Sequence, residues 1–102
     1  MRNKYKAIKT EVDGIIFDSK KEAKRYCELK ILLKAGEISK LELQPRYDLI
    51  INDKKCGFYK ADFRYFRGDE LIVEDVKGMK TPVYNLKKKL IKAIYGVDIL
   101  ES

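Results

Sequence analysis

Two acidic residues and a lysine carry the chemistry this sequence offers. Lys60-Ala61-Asp62-Phe63-Arg64 and Ile72-Val73-Glu74-Asp75-Val76-Lys77-Gly78 read as neighbouring strands joined by a turn at Gly68-Asp69. Successive side chains of a strand point to opposite faces, so Asp75 and Lys77 share one face. A two-residue loop with Gly68 in its first position pairs Arg67 with Glu70. The register then sets Phe66 against Leu71, Arg64 against Val73 and Asp62 against Asp75. Directly opposed Cβ atoms lie roughly 4.5–5.5 Å apart, close enough for two carboxylates to share one cation. Like charges so placed destabilise a sheet unless something neutralises them, and a divalent metal does so. An acid on one strand and acid-x-Lys on the next is the minimum equipment for metal-dependent phosphodiester hydrolysis.

Glu22 is a third candidate. On a helical projection it falls among Tyr26, Leu29 and Leu33, at the centre of the apolar stripe. Ser19-Lys20-Lys21-Glu22 fits a capping box in which Glu22 reaches back to the Ser19 amide. An inward carboxylate one turn into the helix can also reach a metal at the sheet, and one conformation cannot fill both roles fully. Glu28 falls on the solvated side with Lys21 and Lys24. Glu74 alternates away from Asp75 and is expected to pair with a surface lysine, with no metal role. Asp53 and Asp69 are turn residues.

These side chains need elements to hold them. Residues 1–10 form a basic arm, and Glu11 to Phe17 a short strand with a turn at Asp13-Gly14. Ser19 to Ala35 reads as a helix that Gly36 stops. Leu41 to Ile51 is a strand interrupted early by Pro45, and Asn52-Asp53 begins a turn. Phe58 to Phe66 and Leu71 to Lys77 form the hairpin. Its first strand is expected to bury Tyr59, Ala61, Phe63 and Tyr65 under one helix, leaving Lys60, Asp62 and Arg64 on a face that lines a site. Thr81-Pro82 opens a second helix, Thr as N-cap and Pro at the first position, running to about Tyr95 before Gly96. Its apolar stripe reads Val83, Leu86, Leu90 and Ile94, with Tyr84 expected in the core. Val97 to Leu100 closes as a short strand. The order α-β-β-β-α-β implies a single α/β domain over residues 1–102, a small mixed sheet flanked by two helices.

Composition narrows the chemistry. Histidine is absent, which excludes His-dependent acid–base catalysis, Ser-His or Cys-His nucleophiles and His-ligated zinc. Catalysis must then run on carboxylates, lysines and a hard, oxygen-seeking metal. A net charge of +7 over 102 residues favours a polyanionic partner. Cys27 and Cys56 lack metal spacing and read as incidental thiols of a reduced, cytoplasmic chain. No apolar run approaches the roughly 20 residues that cross a bilayer, and Met1-Arg2-Asn3-Lys4 leads into polar sequence.

The residues above resemble the PD-(D/E)XK nuclease superfamily, with Ala61-Asp62 where that superfamily has Pro-Asp and Asp75-Val76-Lys77 as its (D/E)XK. More closely, Ser19-Lys20-Lys21-Glu22-Ala23, Leu43-Gln44-Pro45, Ala61-Asp62-Phe63 and Glu74-Asp75-Val76-Lys77-Gly78 look like a family of short phage and prophage proteins within it, known as a domain of unknown function. The layout is also similar to the endonuclease subunit of some transposition systems. The likeness spans Tyr5 to about Leu100. It implies a restriction-endonuclease-like core and an endonuclease that works in the cytoplasm of a bacterial host. Glu22, Asp62 and Asp75 would hold one or two Mg²⁺ ions, with Mn²⁺ able to substitute and the backbone carbonyl of Val76 a further ligand. Lys77 would position water or offset charge.

The second helix adds a basic surface. Lys80, Lys87 and Lys88, near the site end, are expected to contact backbone phosphates of DNA, and nothing resembles a base-reading module. Specificity is therefore expected for structure more than for sequence. A homodimer would supply two sites and a monomer one. Two other readings stand beside the enzyme: a non-catalytic nucleic-acid-binding module, and a basic subunit of a larger nuclease or recombination complex.

Overall fold

The computed structural model describes residues 8–76 and 80–102. It is mixed α/β, with two helices and several small sheets. Asp13 and Gly14, at φ 54° and 76°, make the two-residue turn between β1 (Thr10–Val12) and β2 (Ile15–Phe17). Positive φ at both turn positions matches the right-handed twist of the flanking strands. Helix α1 (Lys20–Lys34) starts where the Ser19 hydroxyl accepts the Glu22 N–H at 3.0 Å. It ends at Ala35, followed by Gly36 at φ 79°.

Two stretches expected as single strands are each divided. Leu41 to Ile51 becomes β3 (Ser39–Leu43) and β4 (Arg46–Ile51), and Phe58 to Phe66 becomes β5 (Lys54–Lys60) and β6 (Phe63–Arg67). Both breaks lie at the same level. The Gln44 N–H reaches the Asp62 carbonyl at 2.9 Å, and the Ala61 N–H reaches the Pro45 carbonyl at 3.1 Å. One long ribbon therefore bends there without losing its pairing: Leu43 opposes Phe63 above the bend and Arg46 opposes Lys60 below it. Gln44 turns the chain at φ 52°, and Pro45 has no N–H to leave unpaired.

Strand β7 (Glu70–Asp75) follows the tight turn at Gly68-Asp69, with Arg67 opposite Glu70 as the sequence predicts. Helix α2 (Pro82–Tyr95) has Thr81 as N-cap and Gly96, at φ 70°, as C-cap. It leads to β8 (Ile99–Glu101), which pairs parallel with β7. The four-stranded sheet runs β3-β6-β7-β8, while β4 and β5 form a separate two-stranded sheet below the bend.

Two cores result. Val73 joins Tyr47, Leu49, Tyr59, Ala61 and Ile99 against Tyr84 and Ile91 of α2. On the other side, Phe63 and Tyr65 join Phe17 and Ile38 against Ala23, Tyr26 and Leu29 of α1, with Ile72 packed on them. Neighbouring β7 residues thus serve opposite faces, and each helix covers one. The expectation that Tyr59, Ala61, Phe63 and Tyr65 bury under one helix fails for this reason. The bend hands the first two to α2 and the last two to α1. The stripe expected on α2 is also rotated: Tyr84 and Ile91 are buried, while Val83 and Leu86 are 62% and 56% exposed. The folded-over ribbon sets that rotation, for Tyr47, Leu49 and Tyr59 present the apolar surface that α2 meets. Among the described residues, no helix is long and apolar enough to cross a membrane.

A candidate metal centre at the strand bend

The bend places Asp62 immediately before β6, where the ribbon leaves the four-stranded sheet. Its own N–H donates to the carbonyl of Glu74, the partner of Phe63, at 3.1 Å, so the strand pairing ends at Phe63 with Glu74 and the expected pair of Asp62 with Asp75 does not form as a ladder pair. The Asp62 carboxylate accepts the Val76 N–H at 2.7 Å. Asp75, at the end of β7, is 2% exposed and accepts the Tyr59 hydroxyl on Oδ2. Glu22 enters from α1, buried at 7% exposure.

Asp62 lies beside both Glu22 and Asp75, close enough for neighbouring carboxyls to share a proton. A bond between two carboxyls requires a proton on one of them. Burial and then the neighbouring Asp75 push Asp62 up to about 8, against the pull of the Val76 N–H. Burial also raises Glu22, and the nearby charges of Asp18 and Asp75 add to it, while its bonds to the Asp62 side chain and the Asp18 backbone oppose the rise. The Tyr59 phenol is raised by burial and by its bond to Asp75. Ser19 thus caps α1 through its hydroxyl while the Glu22 carboxyl points to the strand acids.

The donor chemistry fits a hard dication, three carboxylates from three elements with no nitrogen or sulfur among them. The links are pairwise, however. Among the described residues, no group of three or more His, Cys, Asp or Glu side chains is already arranged to hold a metal ion. A cleft of about 230 Å³ between α1 and the end of β7 is lined by Lys21, Lys24, Arg25, Glu28, Val76 and Ser102, and none of the three acids lines it. Val76 contributes its N–H to Asp62, and Lys77 lies outside the described residues.

Several expectations need correction. Glu74 does not pair with a surface lysine. It is fully buried and receives Arg25 at 2.6 Å and 3.1 Å, the Tyr65 hydroxyl at 2.6 Å and the Ser102 hydroxyl at 2.6 Å. Arg64 does not line the site but forks onto Glu42, with both bonds at 2.8 Å, and reaches the Tyr47 hydroxyl at 3.0 Å. Lys60 is exposed below the bend. The lysines expected at phosphates are not among these corrections: Lys80 and Lys88 both pair with Glu101, and Lys87 lies 5.8 Å from the centroid of the Phe58 ring.

Tyr59, Arg25 and Glu101 were missed as members of this neighbourhood. Tyr59 carried a signal, since a buried phenol needs a partner for its hydroxyl. Arg25 stands one turn after Glu22 on an otherwise inward-facing helix stripe, which is a weaker hint.

Comparison with curated proteins and with solved structures gives no match. The family described as "Protein of unknown function (DUF1064)" matches residues 2–99. The chain therefore belongs to the DUF1064 family.

Proposed function

We propose that the protein is a Mg²⁺-dependent endonuclease that hydrolyses phosphodiester bonds of DNA, directed by structure more than by sequence, on a restriction-endonuclease-like core. One observation carries the reading: half-buried Asp62 at the strand bend lies beside buried Asp75 at the end of β7, and α1 brings a further buried carboxyl, Glu22, to the same place. Isolated buried carboxylates are unfavourable, and three together have no structural purpose that an apolar cluster would not serve better. A site for a cation gives them one.

Glu22, Asp62 and Asp75 would hold the metal, which when bound polarises a phosphoryl oxygen and acidifies water. The Val76 N–H orients the Asp62 carboxylate, and the Tyr59 hydroxyl orients that of Asp75. Such outer partners fix ligand geometry. The packed bend restrains both acids, since Asp62 is tied by its own N–H to β7. Lys77, two residues after Asp75 in sequence, would position the water or offset charge developing on the phosphate. Lys21 and Lys24 on the cleft wall provide positive charge for the flanking strand.

The test is incubation of the pure protein with labelled duplex, branched and single-stranded DNA in Mg²⁺, Mn²⁺ or EDTA. Cleavage of at least one substrate with either metal, abolished by EDTA and by Asp62→Asn, supports the reading. Binding without cleavage in every metal condition leaves a nucleic-acid-binding module instead.

A further inference from the structure

A second cluster adjoins the carboxyls, and its charge is unbalanced. Glu101 on β8 receives Lys80 Nζ on Oε1 at 2.9 Å. On Oε2 it receives Lys88 Nζ at 3.2 Å and the Tyr84 hydroxyl at 2.8 Å. The bonds from Lys80, Tyr84 and Lys88 hold the Glu101 carboxyl down to about 2. Two cations and a phenol thus converge on a single anion.

Its position is set by the sheet. Glu101 is the register partner of Asp75 across the parallel β7–β8 pair, and adjacent strands lie roughly 4.8 Å apart. The Tyr84 ring stacks at a tilt on Tyr59, centroids 6.3 Å apart, and Tyr59 bonds Asp75. The lysines are not buried, with 56% of the Lys80 and 38% of the Lys88 side chain exposed. Pairs so exposed contribute little to stability, so folding alone gives weak reason for two of them on one acid. A phosphodiester presents what Glu101 presents: two oxygens sharing one negative charge, able to accept the same three donors. The helix bearing Tyr84 and Lys88 has no acidic residue in its sequence, so nothing else on it competes.

We propose that Lys80, Lys88 and Tyr84 form a site for a backbone phosphate of DNA, with Glu101 as its internal occupant. A strand bound there displaces Glu101 and lies one sheet position from the Asp62–Asp75 pair. An isolated phosphate gains little, because it exchanges one anion for another. A strand held at several phosphates at once gains the effective concentration that displacement needs. Glu101 therefore filters against small anions. The inference rests on the nucleic-acid part of the proposed function and not on catalysis.

The experiment measures binding of the full chain to a labelled DNA duplex in EDTA, by fluorescence anisotropy across a salt series, with circular dichroism as the check on folding. Glu101→Gln keeps the shape and an acceptor but removes the charge. Affinity should rise about threefold or more, the size of one or two exposed ion pairs. Independently, Lys80→Ala with Lys88→Ala should reduce the log–log salt slope by about 1.8, two phosphate contacts at about 0.9 each. An unchanged slope in a folded double variant, or unchanged affinity in a folded Glu101→Gln, overturns the proposal and leaves the carboxyl site untouched. A Glu101→Gln protein that gains affinity for inorganic phosphate but none for DNA also overturns it. Failure of the wild type to bind any DNA removes the nucleic-acid reading itself, and this site with it.

Discussion

Arg25 of α1 forks onto the carboxylate of Glu74 on β7, Nε to Oε2 at 2.6 Å and Nη2 to Oε1 at 3.1 Å. Burial drives the Glu74 carboxyl up, but the bonds from Arg25, Ser102 and Tyr65 outweigh it and hold the group below its ordinary range. Glu74 adjoins Asp75, and Arg25 lies one turn after Glu22. The pair thereby fixes the helix that carries one acid against the strand that carries another.

Breaking that pair should be expensive. Arg25→Ala leaves a charge at 0% exposure without its cation, and such a loss typically costs about 3–5 kcal/mol. Urea denaturation should show a loss of that order. Arg25→Met with Glu74→Leu should recover only part, because the Tyr65 and Ser102 hydroxyls then lose their acceptor. A single variant within 1 kcal/mol of wild type would show that the fork is not holding α1 in place.

Asp62 predicts a pH dependence of stability in metal-free buffer. Its folded pKa, pushed up to about 8, lies above the unfolded value of about 3.9. Between these values the folded state binds more protons, so stability is greatest below about pH 4 and falls as pH rises towards 8. Thermal melts in EDTA should show this decline on top of the other titrations, and Asp62→Asn should flatten it. Millimolar Mg²⁺ should raise the wild-type melting temperature most near pH 8 and leave Asp62→Asn nearly unchanged.

Tyr59→Phe separates holding a ligand from being one. Removing the hydroxyl that bonds Asp75 should cost about 1 kcal/mol of stability. Loss of an outer partner typically weakens a metal by about 10–100-fold. Titration calorimetry with Mn²⁺ reads the second effect directly. Equal affinity in the two proteins would show that Asp75 needs no help from the phenol.

Glu22 and Ser19 can be tested against each other. The Ser19 hydroxyl caps the Glu22 N–H, so Ser19→Ala should cost about 1 kcal/mol and leave turnover largely intact. Glu22→Gln should barely alter the melting temperature in metal-free buffer, since Gln keeps the shape and removes a charge that burial disfavours, and should lower cleavage by orders of magnitude. If Glu22→Gln cleaves at the wild-type rate in saturating Mg²⁺, the metal belongs to Asp62 and Asp75 alone.

Local rules decided a good deal of this protein from sequence. The Gly68-Asp69 turn fixes the β6–β7 register, because a one-residue slip would exchange the two faces of both strands. Ser19, Thr81, Gly36 and Gly96 mark the helix ends, because caps satisfy backbone groups within a few residues. The inward aim of Glu22 followed from helical periodicity alone. Long-range geometry was beyond such rules. Alternation cannot show that Gln44-Pro45 and Ala61-Asp62 meet at one level, so the ribbon's bend and its division between two cores came only with the fold. The partners of Glu74 stand 49 residues upstream, 9 upstream and 28 downstream. A buried acid's cation can come from any element packed against it, and a sequence names the acid without naming the element. Sequence paired the two strands whose ends carry Asp62 and Asp75; tertiary packing decided that Glu22 lies beside Asp62, that Tyr59 holds Asp75, and that Glu101 occupies the lysines beside them.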